Sequence, residues 1–441
     1  MNIEEWITYG TTFLFIVIIV FYYVYKGRRE SSRVRQKVME AKASGRHEPN
    51  SLHPYIDLNL CIGSASCVKA CPEKDILGII DNQATVINAT QCVGHGACFH
   101  SCPVDAISLR IGTEKRGVEL PHIKPNYETN IDGIYIAGEL GGMGLIKNSV
   151  EQGKQAVENI ARQKIPSRDD TYDVVIIGAG SAGIGAALQA KKYDLSFKVL
   201  EQDSLGGTVF TFPRSKVVMT HPMDLPLYGK VKVTSTTKDE LLGFWKDALN
   251  KNEITVAEHT KVEEIIPQDE HLFKLKIKDQ EPLMARNVVV AIGRRGSPRK
   301  LGVPGEESTK VAYRLLEPET ITGEKIMVVG GGDSAVESAM LLMDNNEVSL
   351  SYRKEAFARI KPQNQEAISK AIEQGKIKAY FSSSVAAINP QDIMLKMSDD
   401  STQKIPNDRV YIFIGGELPT GFLRKAGINI EKNFGKIVKK H

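Results

Sequence analysis

Short, unbroken apolar runs recur through the middle and late parts of the chain. Val174–Ile177 and Ile326–Val329 contain no polar residue, Phe197–Leu200 has one, and Val288–Gly293 reads VVVAIG. Runs of this length without alternation predict parallel strands buried on both faces. Helical patterns follow two of them, over 184–192 and over 335–343, and a further strand is predicted over 347–351. Strands alternating with helices indicate an α/β class with parallel sheets.

The N-terminus has a different pattern. Residues 6–25 carry no charge, and Phe13–Val20 is wholly apolar. About 20 such residues are needed to cross a bilayer. Trp6, Tyr9, Tyr22, Tyr23 and Tyr25 flank the run as interfacial aromatics do, and Lys26, Arg28, Arg29, Arg33, Arg35 and Lys37 follow at once. The pattern predicts a single-pass helix over 1–26, in the membrane through residues 6–25, and a basic stalk, helical or flexible, over 27–51. Positive charge after the span places the later domains on the cytoplasmic face of the inner membrane. A signal peptide would carry its charge before the apolar run and a small-residue cleavage site after it, and neither is present.

Glycines give the first apolar strand its chemistry. Gly178, Gly180 and Gly183 follow Val174–Ile177 at GxGxxG spacing, with Ser181 and Ala182 between them. The first glycine permits a tight turn, the second lets a pyrophosphate approach the backbone, and the third lets helix pack on strand. Glu201 ends the next strand, where an acid binds a ribose hydroxyl. Gly330, Gly332 and Ala335 repeat the fingerprint as GxGxxA, with Asp333 and Ser334 inside it. Here the next strand ends in Tyr352-Arg353-Lys354. A carboxylate would repel a 2′-phosphate and a cation would pair with it, so NADP(H) is expected over NAD(H). Arg359 and Lys361 extend the basic patch as weaker candidates.

The chain has 441 residues, too many for one core. Its net charge of +4 gives no argument for nucleic acid. All six cysteines lie between 61 and 102, which points to metal or iron–sulfur ligation in a reducing compartment rather than to disulfides. They form a repeat: Cys61/Cys92, Cys67/Cys98 and Cys71/Cys102 are each 31 positions apart, and Cys71 and Cys102 precede prolines. The block resembles a bacterial two-cluster ferredoxin over residues 52–111. That family's run is C-x2-C-x2-C-x3-C-P, and its fourth cysteine ligates the other cluster. Carried over, one site is Cys61, Cys67 and Cys102 with Ser64 in the second-cysteine position. The other is Cys92, Cys98 and Cys71 with His95 there. Three thiolates suit a 3Fe-4S cluster, or a 4Fe-4S cluster whose fourth iron takes another ligand. Zinc in a Cys3His set remains the alternative.

Residues 129–163 (TNIDGIYIAGELGGMGLIKNSVEQGKQAVENIARQ) resemble the last FAD-binding segment of thioredoxin-reductase-like flavoproteins. Their strand falls over 133–137, and Gly138 and Glu139 stand where that family has Gly-Asp. Gly206-Gly207-Thr208 lies where the family has its isoalloxazine-facing loop. FPRSKVVMTHPMDLPLYGK, with Phe244-Trp245, resembles the bacillithiol-reductase-like branch. The FAD-closing segment precedes the dinucleotide loop instead of ending the chain, which implies a circular permutation. Residues 161–170 would then join the old ends, and residues 435–441 should lie near 112–125.

The resemblances imply an α/β protein with two Rossmann-like domains. A small α+β ferredoxin-like domain and one transmembrane helix precede them. FAD is expected in 112–303 together with 405–441, and NADP(H) in 304–404. The implied function is electron transfer between NAD(P)H, FAD and two iron–sulfur clusters, and on to a redox protein or membrane electron carrier, in a homodimer. The rival expectations are an NADPH-dependent disulfide reductase with a structural cysteine block, and a zinc-containing NADP(H) sensor that is not an enzyme. No Cys-x-x-Cys accompanies the dinucleotide motifs, which argues against dithiol chemistry.

Overall fold

A computed structural model describes residues 3–439 except 44–45, 50–51, 74, 93, 95, 115–116, 143, 164–167, 214–216, 234, 295, 297 and 358–359. His95 and Arg359 therefore lie outside the described residues. The chain divides into two compact units, Met1–Val118 with Asn433–His441, and Glu119–Lys432.

In the first unit the apolar run and the basic stalk are one helix, Ile3–Ala43. No break falls at residue 26, because nothing between Tyr25 and Ala43 is a helix breaker except Gly27. Its apolar part is exposed throughout, whereas Val34 and Ala41 are buried against Ile87, with Val38 beside them. The stalk is thus packed on the cysteine domain. The strand Leu52–Ile56 pairs antiparallel with Ile107–Ile111, Leu52 opposite Ile111, and Lys436–Lys439 adds to the other edge with Lys436 opposite Ile111. A hairpin, Leu77–Ile80 with Gln83–Val86, turns through Asp81 and Asn82. Both turn residues have positive φ, the conformation that matches the twist of the flanking strands. Short helices Ser66–Ala70 and Ala97–His100 carry the middle cysteine of each triplet.

The second unit is built on two five-stranded parallel sheets. In one, the order is Val256–Ala257, Phe197–Leu200, Val174–Ile177, Val288–Val290 and Ile134–Ile136. In the other it is Val311–Ala312, Arg409–Ile412, Lys325–Val329, Glu347–Tyr352 and Ile377–Phe381. The predicted strands Val174–Ile177 and Phe197–Leu200 are found with those bounds. The helix expected over 184–192 starts earlier, at Ser181, since extended Gly180 already caps it. The helix expected over 335–343 likewise runs Asp333–Leu342. The strand expected over 288–293 stops at Val290, before the left-handed turn at Gly293. Residues 405–441, expected in the FAD-binding domain, are divided: Leu423, Ala426 and Ile428 share a core with Ile134, Ile136 and Val175 of the first sheet, and two strands go elsewhere. Arg409–Ile412 lies in the second sheet, and Ile430–Asn433 pairs with Val118–Pro121. An apolar strand pattern specifies burial and not which neighbour supplies the ladder.

The helix Ile146–Arg162 crosses the helix Ser181–Lys192 at glycines. A Cβ on Gly153 would stand 2.9 Å from the Ala182 carbonyl carbon, and one on Gly185 2.5 Å from the Val150 carbonyl oxygen. This close crossing fixes where the first dinucleotide loop sits.

Candidate functional site

After Val174–Ile177 the chain turns at Gly178, whose φ is +102° and whose Cβ would lie 2.6 Å from the Ala291 carbonyl oxygen. A side chain on Gly183 would run into the Gly178 carbonyl, so both positions require glycine. Gly180 differs, with nothing within 4 Å of a Cβ position. That open face at a helix N-terminus is a cradle of the kind a pyrophosphate occupies.

Glu201 is buried, and its carboxylate accepts the Ala179 N–H at 2.7 Å and the Asp203 N–H at 2.9 Å. Burial raises its pKa, and the two N–H donors oppose the rise without cancelling it. Glu201 therefore holds the shape of the dinucleotide loop, a role its position in the sequence did not reveal. A carboxylate offers about four acceptor sites, so lone pairs remain for ribose hydroxyls. The Gly206 N–H donates to the Ala179 carbonyl at 2.9 Å, and the Cβ direction of Gly207 points at the Gly180 Cα, 3.3 Å away. The Gly206-Gly207-Thr208 turn thus lies against the same loop. Gly138, at φ +88°, would place a Cβ 3.0 Å from the Ala182 Cβ, and its N–H donates to Gln152 Oε1 at 2.8 Å. Glu139 follows and lies along Gly144. The Gly138–Glu139 segment and the GxGxxG loop, about 40 residues apart in sequence, meet at the first turn of one helix. Gln152, which fixes Gly138, was not singled out in the sequence.

The second loop repeats the design. Gly330 has φ +144° and a Cβ position 2.4 Å from the Phe413 carbonyl oxygen by one side and 3.1 Å from the Ala335 Cβ by the other, which also demands a small residue at 335. Gly332 and Ser334 are exposed at the start of the helix. Asp333 is engaged elsewhere: its Oδ1 accepts the Lys361 N–H at 2.8 Å and the Asn364 amide at 2.7 Å. It ties the loop to the helix Pro362–Glu373. The Tyr352 ring packs on Gly331 and stacks on Phe357 at 5.6 Å. Arg353 and Lys354 are exposed just beyond it, and no ion pair engages either among the described residues.

In the cysteine unit, Cys61, Cys67 and Cys102 line one cavity with Ser64, walled by Ile56, Ala84 and Ile107. The Ala84 N–H donates to Cys61 Sγ at 3.4 Å and the Ala106 N–H to Cys102 Sγ at 3.3 Å. Cys92 and Cys98 are near Cys71. Burial pushes the Cys92 thiol up to about 11 and the Cys98 thiol up to about 12, with neighbouring sulfurs adding to the rise at Cys98. Burial also raises Cys67 and Cys71. Among the described residues, no three His, Cys, Asp or Glu side chains converge on a point for a single metal ion. Three sulfurs on one apolar cavity are the donor set an iron–sulfur cluster takes. Apolar walls and backbone N–H donors on sulfur also fit a cluster.

Two family models match the chain: one described as pyridine nucleotide-disulphide oxidoreductase over residues 175–440, and one described as a 4Fe-4S dicluster domain over 53–103. Bacilliredoxin reductase Bdr of Bacillus subtilis is 23% identical over 267 residues, 59% of this chain and 82% of that protein. A ferredoxin–NADP reductase of Ignicoccus hospitalis is 25% identical over 266 residues, covering 58% and 82%. One from Rickettsia rickettsii is 26% identical over 271 residues, covering 59% and 76%. Among solved structures, bacillithiol disulfide reductase Bdr (YpdA) from Bacillus cereus matches with a TM-score of 0.52 at 23% identity, over 61% of this chain and 86% of that one. The Staphylococcus aureus enzyme matches with 0.51 at 20%, over 60% and 85%. These two likenesses establish the fold of the second unit.

Proposed function

We propose that this chain, which belongs to the pyridine nucleotide-disulphide oxidoreductase family and is a FAD-dependent oxidoreductase with a 4Fe-4S ferredoxin domain, exchanges electrons between NADP(H) and a redox protein through its flavin and clusters. One observation carries the choice of electron transfer over disulfide reduction. All six cysteines are in the ferredoxin-like unit, so the unit with the dinucleotide loops has no thiol of its own. Two relatives that match this chain carry the name ferredoxin–NADP reductase.

The residues divide the work as follows. Gly178, Gly180, Ser181, Ala182, Gly183, Glu201, Gly207, Thr208, Gly138 and Glu139 hold FAD. Gly330, Gly332, Ser334 and Ala335 receive the nicotinamide dinucleotide, Asp333 shapes their loop, and Arg353 and Lys354 pair with its 2′-phosphate. Cys61, Cys67 and Cys102 hold one cluster; Cys71, Cys92 and Cys98 hold the other, with His95 as the further ligand. The bound groups convert hydride chemistry into single-electron transfer. Oxidation of one NADPH releases two electrons and one proton, so two single-electron acceptances balance each turnover.

The helix Ile3–Ala43 contains the one candidate span among the described residues, and its apolar window is wholly exposed. That exposure supports a single-pass membrane anchor over a buried core helix, and the basic residues after the span, Lys26, Arg28 and Arg29, support a cytoplasmic side for the two units. Assembly as a homodimer belongs to the same reading and is checked by light scattering. A circular permutation is supported by three facts. Ile134–Ile136 occupies a sheet edge beside Val288–Val290, the family match begins only at residue 175, and Lys436–Lys439 pairs with Ile107–Ile111.

The test is an anaerobic NADPH titration of the full chain, followed by low-temperature EPR with iron and zinc analysis. Flavin bleaching with a reduced iron–sulfur signal is expected. Flavin bleaching with zinc and no iron, or NADPH turnover of a low-molecular-weight disulfide that survives Cys61→Ala and Cys92→Ala, overturns the reading.

A further inference from the structure

The ferredoxin-like unit carries an exposed apolar loop beside one cluster site. Leu58, Leu60 and Ile62 are 53%, 52% and 58% exposed, and they bracket Cys61. We propose that this loop rests in the lipid interface of the membrane that residues 6–25 span, which sets the Cys61 site at the membrane face. The proposal rests on the membrane-anchor reading above.

The argument is one of position. The loop is braced on the Leu77–Val86 hairpin. The Gln83 amide donates to the Leu58 carbonyl at 2.7 Å, and the Ala84 N–H donates to Cys61 Sγ at 3.4 Å. The turn of that hairpin touches the loop and the long helix together. On one side the Asn82 carbonyl lies against Gly63, where a Cβ would stand 2.7 Å from its carbon. On the other the Asp81 N–H donates to Ser31 Oγ at 3.2 Å, and the Asp81 carboxylate pairs with Arg35. Lys37 pairs with Asp75 at 2.6 Å, and a Cβ on Gly78 would lie 2.6 Å from Val34 Cγ1, so the hairpin cannot slide along the helix.

Ser31 therefore fixes the height of the loop. It follows Tyr25, the last residue of the uncharged run, by six positions in an unbroken helix. At about 1.5 Å per residue this is a rise of about 9 Å. The headgroup layer adds roughly 5–8 Å beyond the hydrocarbon on each side. The turn thus meets the helix at the outer edge of the headgroups, and the loop packed on that turn is within side-chain reach of them. The charges agree. Lys26, Arg28, Arg29 and Arg33 are exposed around the helix at this height, a collar that attracts anionic lipid. An amphipathic surface of this type, apolar side chains beside a cationic rim, partitions into the interface. A loop meant for water gains nothing from three exposed aliphatic side chains in five residues.

The experiment uses the full chain in vesicles containing anionic lipid. In a Trp6→Phe background Trp245 is the remaining tryptophan, and Leu60→Trp adds a reporter in the loop. Lipids brominated near the headgroup are expected to quench the added emission, because an interfacial side chain sits about 5–10 Å into the headgroup boundary. Leu58→Trp, read in the same way, serves if the first variant loses its iron. Unquenched emission from protein that still floats with the vesicles overturns the proposal and leaves the anchor standing. Protein that no longer floats overturns the anchor reading itself. Unquenched emission together with slower electron delivery to a soluble acceptor in Leu58→Gln/Leu60→Gln overturns the proposal and assigns the loop to a protein partner.

Discussion

Gly153→Ala sets helix propensity directly against packing. In an open helix, replacing glycine by alanine gains about 1 kcal/mol. At position 153 the new methyl would stand 2.9 Å from the Ala182 carbonyl carbon and 3.0 Å from the Ala186 nitrogen, and it would overlap the Ala182 oxygen. All three are backbone atoms of the helix Ser181–Lys192, so no rotamer change relieves them; the two helices must part by about an ångström. Overpacking of this type costs ~1–3 kcal/mol, and rigid backbone on both sides places it at the upper end. The net is a loss of about 2 kcal/mol, which lowers the melting temperature by roughly 4–8 °C in a domain of this class. Ala182 is also in the first turn facing the proposed pyrophosphate cradle, so flavin should leave earlier. The assay is the temperature at which flavin fluorescence is released, with flavin content on purification. Gly243→Ala is the control. It lies exposed in the helix Lys238–Lys251 with nothing within 4 Å of a Cβ, and should be neutral or raise stability by up to about 1 kcal/mol. Equal shifts in the two variants, or a Gly153→Ala protein that keeps its flavin to the native temperature, would refute the reasoning.

Other consequences are equally direct. Because Cys102 lines a cavity with Cys61 and Cys67, Cys102→Ala should abolish the same EPR signal as Cys61→Ala, and Cys71→Ala the signal lost in Cys92→Ala; pairing by sequence triplet instead would contradict the geometry. Arg353→Glu should raise KM for NADPH about 10–100-fold and leave NADH nearly unaffected, as loss of a charge-assisted contact worth ~1.5–3 kcal/mol requires. Glu201 binds its proton more tightly in the fold than in the unfolded chain, so charging it costs stability as pH rises through its raised pKa, while ribose hydroxyls need the charged form. Flavin affinity of the apoprotein should therefore climb with pH from the ordinary value of 4.5 upward and then level off, and Glu201→Gln should flatten the climb.

Short apolar strands closed by glycine were readable because two local requirements coincide there, burial on both faces and a turn that excludes a side chain. Val174–Ile177 with Gly178 is the example. Charges dominate the stalk's pattern and leave open whether it is helical or flexible; the structure makes it helical. Yet Val34, Val38 and Ala41 recur at helical spacing, and that stripe is the one packed on Ile87. Strand membership was not readable. Arg409–Ile412 and Ile430–Asn433 are both plausible strands in sequence, but their partners at Lys325–Val329 and Val118–Pro121 are set by tertiary packing. Asp333 sits inside a nucleotide fingerprint and nonetheless hydrogen-bonds to Lys361 and Asn364, since a residue's motif position does not fix its rotamer.

The cysteines argue most strongly through their environment. A redox dithiol needs a thiolate that is accessible and of lowered pKa. Here burial drives Cys92 and Cys98 the other way, to about 11 and about 12, and the prolines after Cys71 and Cys102 close each run. Thiols raised in this way are poor nucleophiles, and the burial that raises Cys92 and Cys98 makes them costly to ionise without a compensating cation. Iron would supply that charge, and at the other site the Ala84 and Ala106 N–H groups already donate to the Cys61 and Cys102 sulfurs. The features that would disable this block as a disulfide reductant are therefore those that equip it to hold clusters.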